Sequence, residues 1–283
     1  MRNYLEINSP KKVYLDLIPT RIPSQQGQKK SLDKNIGCLS DQQTLLYANH
    51  ERSMLIIFQG MDTAGKDGAI KHVMSGVNPQ GCSVVSFKTP TTKELEHDFL
   101  WRANLVLPER GMIGIFNRSY YEEALITRVH PELLKAEKLP SGKQHDSVFW
   151  KFRYHDIVHY EKYLHRQGYE IIKIFIHISK KEQKKRLSSR FNDPKKVWKI
   201  AESDVRERAF WKEYQVAYQE CLEQTSSKSG PWYIVPGDDK ESARLCISQI
   251  LAERFKSLKL KYPKLTSHEE KKLKKLKAVL NQD

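Results

Sequence analysis

The sequence predicts an α/β protein: a parallel sheet covered by helices on both faces, with a phosphate-gripping loop after its first strand. Three observations predict it. Short apolar runs alternate with helix-length segments along the chain. The first run, residues 54–58, leads directly into Gly60-Met61-Asp62-Thr63-Ala64-Gly65-Lys66-Asp67-Gly68, which carries G-x-x-x-x-G-K spacing. Helix-compatible sequence follows. Glycines let backbone N–H groups curl around phosphate oxygens, the helix N-terminus adds positive potential, and the lysine neutralises a phosphoryl group. A plain glycine-rich strand–helix turn is the competing reading, and the lysine at this spacing argues against it.

Residues 1–50 read as an extension packed on the core, with a loop-like Pro23-Ser24-Gln25-Gln26-Gly27 stretch and a basic pair, Lys29-Lys30. Ser40 is placed to cap a short helix through Leu46. The main domain spans residues 51–260. The helix after the loop should end near Gly76-Val77-Asn78-Pro79, ahead of a second strand at 82–87. Leu95, Phe99 and Ala103 then recur at helical spacing, closed by Leu107-Pro108, before a third strand at 112–116. A long helix is expected over 146–167, with Phe149, Phe152, Tyr160, Tyr163 and Leu164 at helical spacing and Gly168 as its stop. The fourth strand is 171–178 and the fifth 232–235. Between them Ser203-Asp204 should cap a helix whose Phe210, Tyr214, Ala217, Tyr218 and Cys221 face the core. The lysine-rich tail, 261–283, reads as a solvated helix rather than a polyanion-binding arm.

The totals narrow the partners. A chain of 283 residues with net charge +15 favours polyanions. Cys38, Cys82, Cys221 and Cys246 lack C-x-x-C spacing and read as reduced thiols. No apolar run approaches the ~18 residues of a membrane span, and no signal-peptide core is visible, so a cytoplasmic protein without a membrane partner is expected. RNP-like, KH-like and helix-turn-helix signatures are missing, which argues against specific nucleic-acid binding. His97, His130, His155 and His177 show no metal-ligand spacing.

Ligands of open α/β sheets sit beyond the carboxyl ends of the strands. The first strand end supplies Asp62 and Lys66. It also carries Asp67, where an ordinary P-loop has a magnesium-holding Ser or Thr. Asp62 lies among amides meant for anions, so it points to a metal ligand or a base beside an attacking phosphate. The third strand end supplies Asn117 and Arg118, in the place of a Walker-B acid. The fourth feeds a basic region, 180–204. There Arg186 and Arg190 share a helix face, Asp193-Pro194 breaks the helix, and Lys195, Trp198 and Lys199 follow in the bend. A mobile basic lid fits this layout, because closure excludes water and brings in positive charge. Singly, Lys180, Lys181, Lys184 and Lys185 read as a solvated face.

With these residues in place, the chain resembles the polyphosphate kinase 2 family over roughly residues 30–260. The motifs are GMDTAGKDGAIKHV, KELEHDFLWR, GIFNRSYYEEALITRVHPE and RLSSRFNDPKKVWKIAESDVRER. The resemblance implies a thymidylate-kinase-like P-loop kinase fold. It also implies reversible phosphoryl transfer between inorganic polyphosphate and nucleoside mono-, di- and triphosphates, such as ADP/ATP and GDP/GTP. Mg²⁺ is the implied cofactor, with Mn²⁺ as a substitute, and a homo-oligomer, dimer or tetramer, the implied state. Asp62 would hold the metal and position or deprotonate the attacking phosphate, while Lys66 and Arg118 would bind the phosphoryl group in flight. Arg186 and Arg190 would close over it. Gly60, Thr63, Ala64, Gly65, Asp67, Gly68, Glu122, Arg128, Lys195, Trp198, Lys199 and Asp204 complete the implied substrate-binding set. The Tyr120-Tyr121-Glu122-Glu123 stretch resembles members that accept monophosphates as well as diphosphates.

One position departs from the family pattern. The family commonly has Asp at position 117, and this chain has Asn. Either the chain is a natural variant that relies on Asp62 and Glu122, or it is a low-activity form altered to trap substrates. Two further readings stand beside the leading one. An ATP-dependent nucleotide kinase fits the fold but leaves Asp62 and the surplus charge unexplained. A catalytically weakened polyanion-binding P-loop protein would explain Asn117.

Overall fold

Along the chain the elements are β1 (Leu5–Ile7), α1 (Gln28–Asn49), β2 (Ser53–Gln59) and α2 (Lys66–Val73). Next come β3 (Cys82–Ser86), α3 (Thr92–Leu95), α4 (Trp101–Asn104), β4 (Ile113–Asn117), α5 (Glu122–Val129) and α6 (Ser147–Arg166). β5 (Tyr169–His177), α7 (Lys180–Phe191), α8 (Glu202–Glu207), α9 (Trp211–Thr225), β6 (Trp232–Pro236), α10 (Lys240–Ser257) and α11 (Ser267–Leu280) complete the order. The structure is a computed structural model that describes residues 3–23, 26–139, 146–195, 197–199 and 202–281. Ser24 and Gln25 of the expected N-terminal loop lie outside the described residues, as do Lys196, Ile200, Ala201 and the side chain of Lys199.

Six strands form one sheet in the order β1-β6-β5-β2-β4-β3. β2 sits inside it, parallel to β4 on one side and to β5 on the other. All seven of its residues are buried, as expected of a strand covered on both faces. The chain leaves β2 towards β3 and β4 on one flank and later fills β5 and β6 on the other. The strand order therefore reverses at β2, and the crevice for a ligand opens at its carboxyl end. Helices α1, α2 and α10 pack together, and α9 packs on α5 and α6.

The structure departs from the sequence expectation in five places. The sheet is mixed rather than parallel, because β1 adds an antiparallel edge against β6. Three residues carry no periodic signal, so this strand was invisible. α1 begins at Gln28, after Gly27 at φ 79°, and Ser40 lies inside it rather than at its cap. Leu39, Gln43 and Leu46 are its buried residues, and the lysines of its first half hid the pattern. The segment at 92–104 is two short helices. A Thr91–Glu94 capping box starts the first, and Asp98 Oδ1 accepts from Leu100 N at 3.0 Å before the second. In α6 the expected set divides: Leu164 is buried and Phe149 and Tyr160 pack on the core, while Phe152 and Tyr163 are exposed and Trp150, Tyr154 and Ile157 complete the inward face. Ser203 and Asp204 lie within α8, and α9 starts at Trp211 with no side-chain cap. Tyr214, Ala217, Tyr218 and Cys221 are nonetheless buried as expected.

Beneath β5 lies a buried polar network. Lys173 Nζ donates to Glu161 Oε2 at 2.7 Å, to the Tyr121 hydroxyl at 2.9 Å and to the Thr225 carbonyl at 2.8 Å. Glu161 Oε1 accepts from the hydroxyls of Tyr120 and Tyr121 at 2.9 and 2.7 Å. Burial pulls the Lys173 amine below its ordinary value, and the Glu161 carboxylate opposes that pull. Both charged side chains are fully buried, so each depends on the other. The tyrosines follow Arg118 by two and three residues, so the network anchors the turn that leaves β4. Lys173→Met strips Glu161 of its cation and should destabilise the fold by about 3–5 kcal/mol in urea unfolding. A loss under about 1 kcal/mol would show that the buried carboxylate does not need the lysine.

Candidate active site

The loop between β2 and α2 is shaped by backbone geometry. Gly60 has φ 153° and Gly65 φ 100°, and Thr63 adopts a left-handed φ of 64°. A Cβ at Gly60 would stand 2.8 Å from the Ile176 carbonyl oxygen, so the loop passes too close to β5 for any side chain there. Lys66, the first residue of α2, is buried and donates to the Gly60 and Met61 carbonyls at 2.7 and 3.4 Å. Burial, aided by the nearby Arg118 cation, lowers its pKa to about 8, against the pull of Asp62, Glu122 and Asp67. An anion beside Lys66 would relieve that cost.

Beside the loop, β4 ends at Asn117, in register with Phe58 of β2 and Ser86 of β3. Arg118 follows at φ 63°, its N–H held by the Phe58 carbonyl at 2.9 Å. Its guanidinium bridges two carboxylates: Nη2 to Asp62 Oδ1 at 2.6 Å and Nη1 to Glu122 Oε2 at 3.3 Å. Glu122 and then Asp62 hold its pKa above the ordinary arginine value, with burial opposing them. Asn117 Nδ2 donates to Asp67 Oδ1 at 2.9 Å. The amide thus compensates a carboxylate that an acid at this position would repel.

Helix α7 is capped by Ser179, whose hydroxyl accepts from Glu182 N. Its two arginines differ. All five N–H groups of Arg186 are engaged: Nε on Glu182, Nη1 on the Thr63 and Ala64 carbonyls, and Nη2 on the Gly237 and Asp238 carbonyls. At 2.8–3.0 Å for Nη1 and 2.5–3.3 Å for Nη2, this guanidinium ties the phosphate loop to the end of β6. Arg190 Nη1 meets Asp204 Oδ2 at 3.2 Å and lies partly open.

These elements enclose a cavity of about 950 Å³. Asp62, Thr63, Ala64, Gly65, Lys66, Asp67 and Gly68 line it, with Asn117, Arg118, Arg186, Arg190, Trp198 and Asp204. Glu122 reaches it through Arg118, and Gly60 lies beneath the loop, buried. Two expected residues are elsewhere. Arg128 makes a two-pronged contact with Glu220 at 3.0 and 3.2 Å and lies over the Trp150 ring, away from the cavity. Lys195 is exposed and not among the lining residues, its carbonyl accepting from Trp198 Nε1 at 3.0 Å.

Three cationic residues on the cavity wall escaped the sequence reading: Lys88, Lys240 and Arg244. Lys88 follows β3, and Lys240 and Arg244 open α10 after β6. Their signal was position at the carboxyl ends of the second and fifth strands, the same rule that found Asp62 and Asn117. Arg102 braces this wall, donating to the Lys88 carbonyl at 2.8 Å and to Glu123 Oε1 at 3.2 Å. Burial, the largest influence on Glu123, pushes its pKa up to about 7 despite Arg102.

The donor set suits a hard divalent cation. Asp62, Asp67 and the Asn117 amide line one cavity, with no histidine or thiol among its lining residues. Among the described residues no cluster of three or more His, Cys, Asp or Glu forms a closed metal cage. Mg²⁺ characteristically takes one or two carboxylates and completes its shell with water and phosphate oxygens. Among the described residues, moreover, no helix is long and apolar enough to cross a membrane.

Known proteins resemble this chain. An ADP-polyphosphate phosphotransferase of Rhodopseudomonas palustris is 49% identical over 278 residues, covering 97% of this chain and 96% of that protein. An AMP/ADP-polyphosphate phosphotransferase of Meiothermus ruber is 39% identical over 229 residues, 81% of each chain. The crystal structure of polyphosphate kinase 2 from Arthrobacter aurescens TC1 superposes with a TM-score of 0.80 at 37% identity, covering 92% of this chain and 90% of that one. The family model for polyphosphate kinase 2 (PPK2) matches residues 22–263, and the chain belongs to that family.

Proposed function

We propose that the protein moves a phosphoryl group reversibly between inorganic polyphosphate and a nucleoside di- or monophosphate. Mg²⁺ serves as the divalent ion, and Mn²⁺ can replace it. The observation that carries this reading is the surplus of positive charge in one cavity. Seven cationic side chains, Lys66, Lys88, Arg118, Arg186, Arg190, Lys240 and Arg244, line it against the three carboxylates of Asp62, Asp67 and Asp204. A nucleotide kinase needs cations for one triphosphate, whereas a polymer of phosphates needs a longer track. Family membership supports the same substrates. It also supports the cytoplasm as the site of action and a homo-oligomer as the working form.

In this reading Lys66 and the loop amides grip the transferring group, and Arg118 neutralises it in flight. Asp62, fixed by Arg118, holds the cation and sets the attacking nucleotide phosphate in line. Bound Mg²⁺ supplies charge neutralisation between two repelling anions. Arg190, Trp198 and Asp204 lie on the lid side, where the nucleotide enters. Arg186 acts through the phosphate loop, whose carbonyls it holds, so that the amides stay aimed at phosphate. Positioning and charge do the catalysis, as phosphoryl transfer generally requires.

The direct test incubates the protein with ADP, polyphosphate and Mg²⁺ and measures ATP. Formation of ATP with polyphosphate but not with GTP as donor is expected, and Asn117→Asp should raise turnover at saturating Mg²⁺. No ATP from either form would overturn the proposal. The two lid arginines should separate in a paired measurement of turnover and urea stability. Arg186→Ala leaves buried carbonyls unpaired and should cost roughly 2–4 kcal/mol of stability along with activity. Arg190→Ala should cost under about 1 kcal/mol and still cut turnover. Equal stability losses would remove the distinction.

A further inference from the structure

The tail helix α11 stands apart from the chemistry and from the body of the protein. Every residue from 261 to 281 is exposed. It is nonetheless a well-specified helix: Thr266 and Glu269 form a complete capping box at its start. Its two faces differ sharply. Leu273, Leu276 and Leu280, at spacings of three and four, form one apolar stripe with Val279 at its margin. Lys271, Lys274, Lys275 and Lys277 occupy the remaining arc and Lys272 lies at the stripe's edge between Leu276 and Val279, opposed only by Glu269 and Glu270 near the N-terminus. Among the described residues, no hydrogen bond or ion pair of α11 reaches outside residues 266–281. The family match ends at residue 263, so the helix lies beyond what the family's shared fold requires.

An apolar stripe in water is a cost unless something covers it. A second α11 packed stripe to stripe would bring the edge lysines of each helix, Lys272 and Lys277, against those of the other, a repulsive arrangement for a helix pair. Free polyphosphate would satisfy the lysines and leave the leucines in water. An anionic lipid surface satisfies both faces: leucines enter the boundary between headgroups and acyl chains, and lysines at the flanks meet lipid phosphates. The irregular segment ahead of the helix adds Lys259, Lys261 and Lys264 with exposed Tyr262 and Leu265, residues suited to the same interface.

We propose that α11 is a peripheral membrane-docking helix that binds anionic bilayers by its leucine stripe and lysine arc. It tethers the catalytic domain to the surface without spanning it. The test sediments the full chain with vesicles of phosphatidylcholine alone, or of phosphatidylcholine mixed with phosphatidylglycerol. The protein should pellet with the anionic vesicles, and Leu273→Glu/Leu276→Glu should lower the bound fraction about tenfold or more. Lys272→Ser/Lys275→Ser should weaken binding as well. Phosphoryl transfer in solution should be unchanged in both variants, which also reports that they fold. Four results would overturn the proposal: no pelleting of the parent chain, pelleting that survives the glutamates, a fall in oligomeric mass in the Leu variant, or loss of polyphosphate binding in that variant. The third would assign the stripe to a second copy, and the fourth would make the tail an arm for the polymer.

Discussion

The Asp62–Arg118 ion pair, 2.6 Å long, is the constraint on which the site rests. Its partners sit on loops that leave two neighbouring parallel strands, so the β2–β4 register sets their separation. A slip of one residue would turn Asn117 to the opposite face of the sheet. Arg118 occupies a left-handed conformation that an arginine does not choose unaided, and it is held from both sides. The Phe58 carbonyl binds its N–H, and the Tyr120–Tyr121–Glu161–Lys173 network fixes the turn that follows. Arg186 does the corresponding work for the phosphate loop, making α7 a brace for loop carbonyls. Two arginines thus hold opposite walls of the crevice, one through carboxylates and one through backbone.

This division of labour qualifies how arginines in a basic lid should be read. Sequence spacing puts Arg186 and Arg190 on one helix face and suggests equal roles. Burial separates them. Arg186 is 7% exposed with every N–H engaged, while the Arg190 side chain keeps 24% exposure and a single carboxylate partner. Charge near a phosphate site can therefore serve geometry as well as binding. Asn117 illustrates the same economy from the other side: its amide satisfies Asp67 without adding a further negative charge to the crevice.

Much of this was legible in the sequence. The phosphate loop, the parallel strands from β2 to β6 and the helix carrying Arg186 and Arg190 followed from local signals: apolar runs, glycine spacing and a proline after an aspartate. The rest had no local signal. β1 is three residues long and gains its identity only by pairing with β6. Lys173 interrupts an apolar strand, and only the tertiary partners Glu161 and Tyr121 explain it. The inward face of α6 was only partly legible because buried Arg153 and Glu161 stand where apolar residues would be expected, while Phe152 and Tyr163 face solvent. Lys88, Lys240 and Arg244 were overlooked because nothing but topology brings three distant segments to one cavity.

The same chain joins two electrostatic regimes. In the crevice, cations are matched to carboxylates or carbonyls at fixed distances. On the tail, lysines stand in water around an apolar stripe. Only the first regime bears on the transfer reaction, and Asp62 is its centre. The most direct measurement compares Asp62→Ala with the parent chain for Mg²⁺-dependent transfer from polyphosphate to ADP and, in parallel, for polyphosphate binding. The account predicts a loss of rate of about 100-fold or more with binding undiminished, since an anion has been removed. An unchanged rate would contradict it.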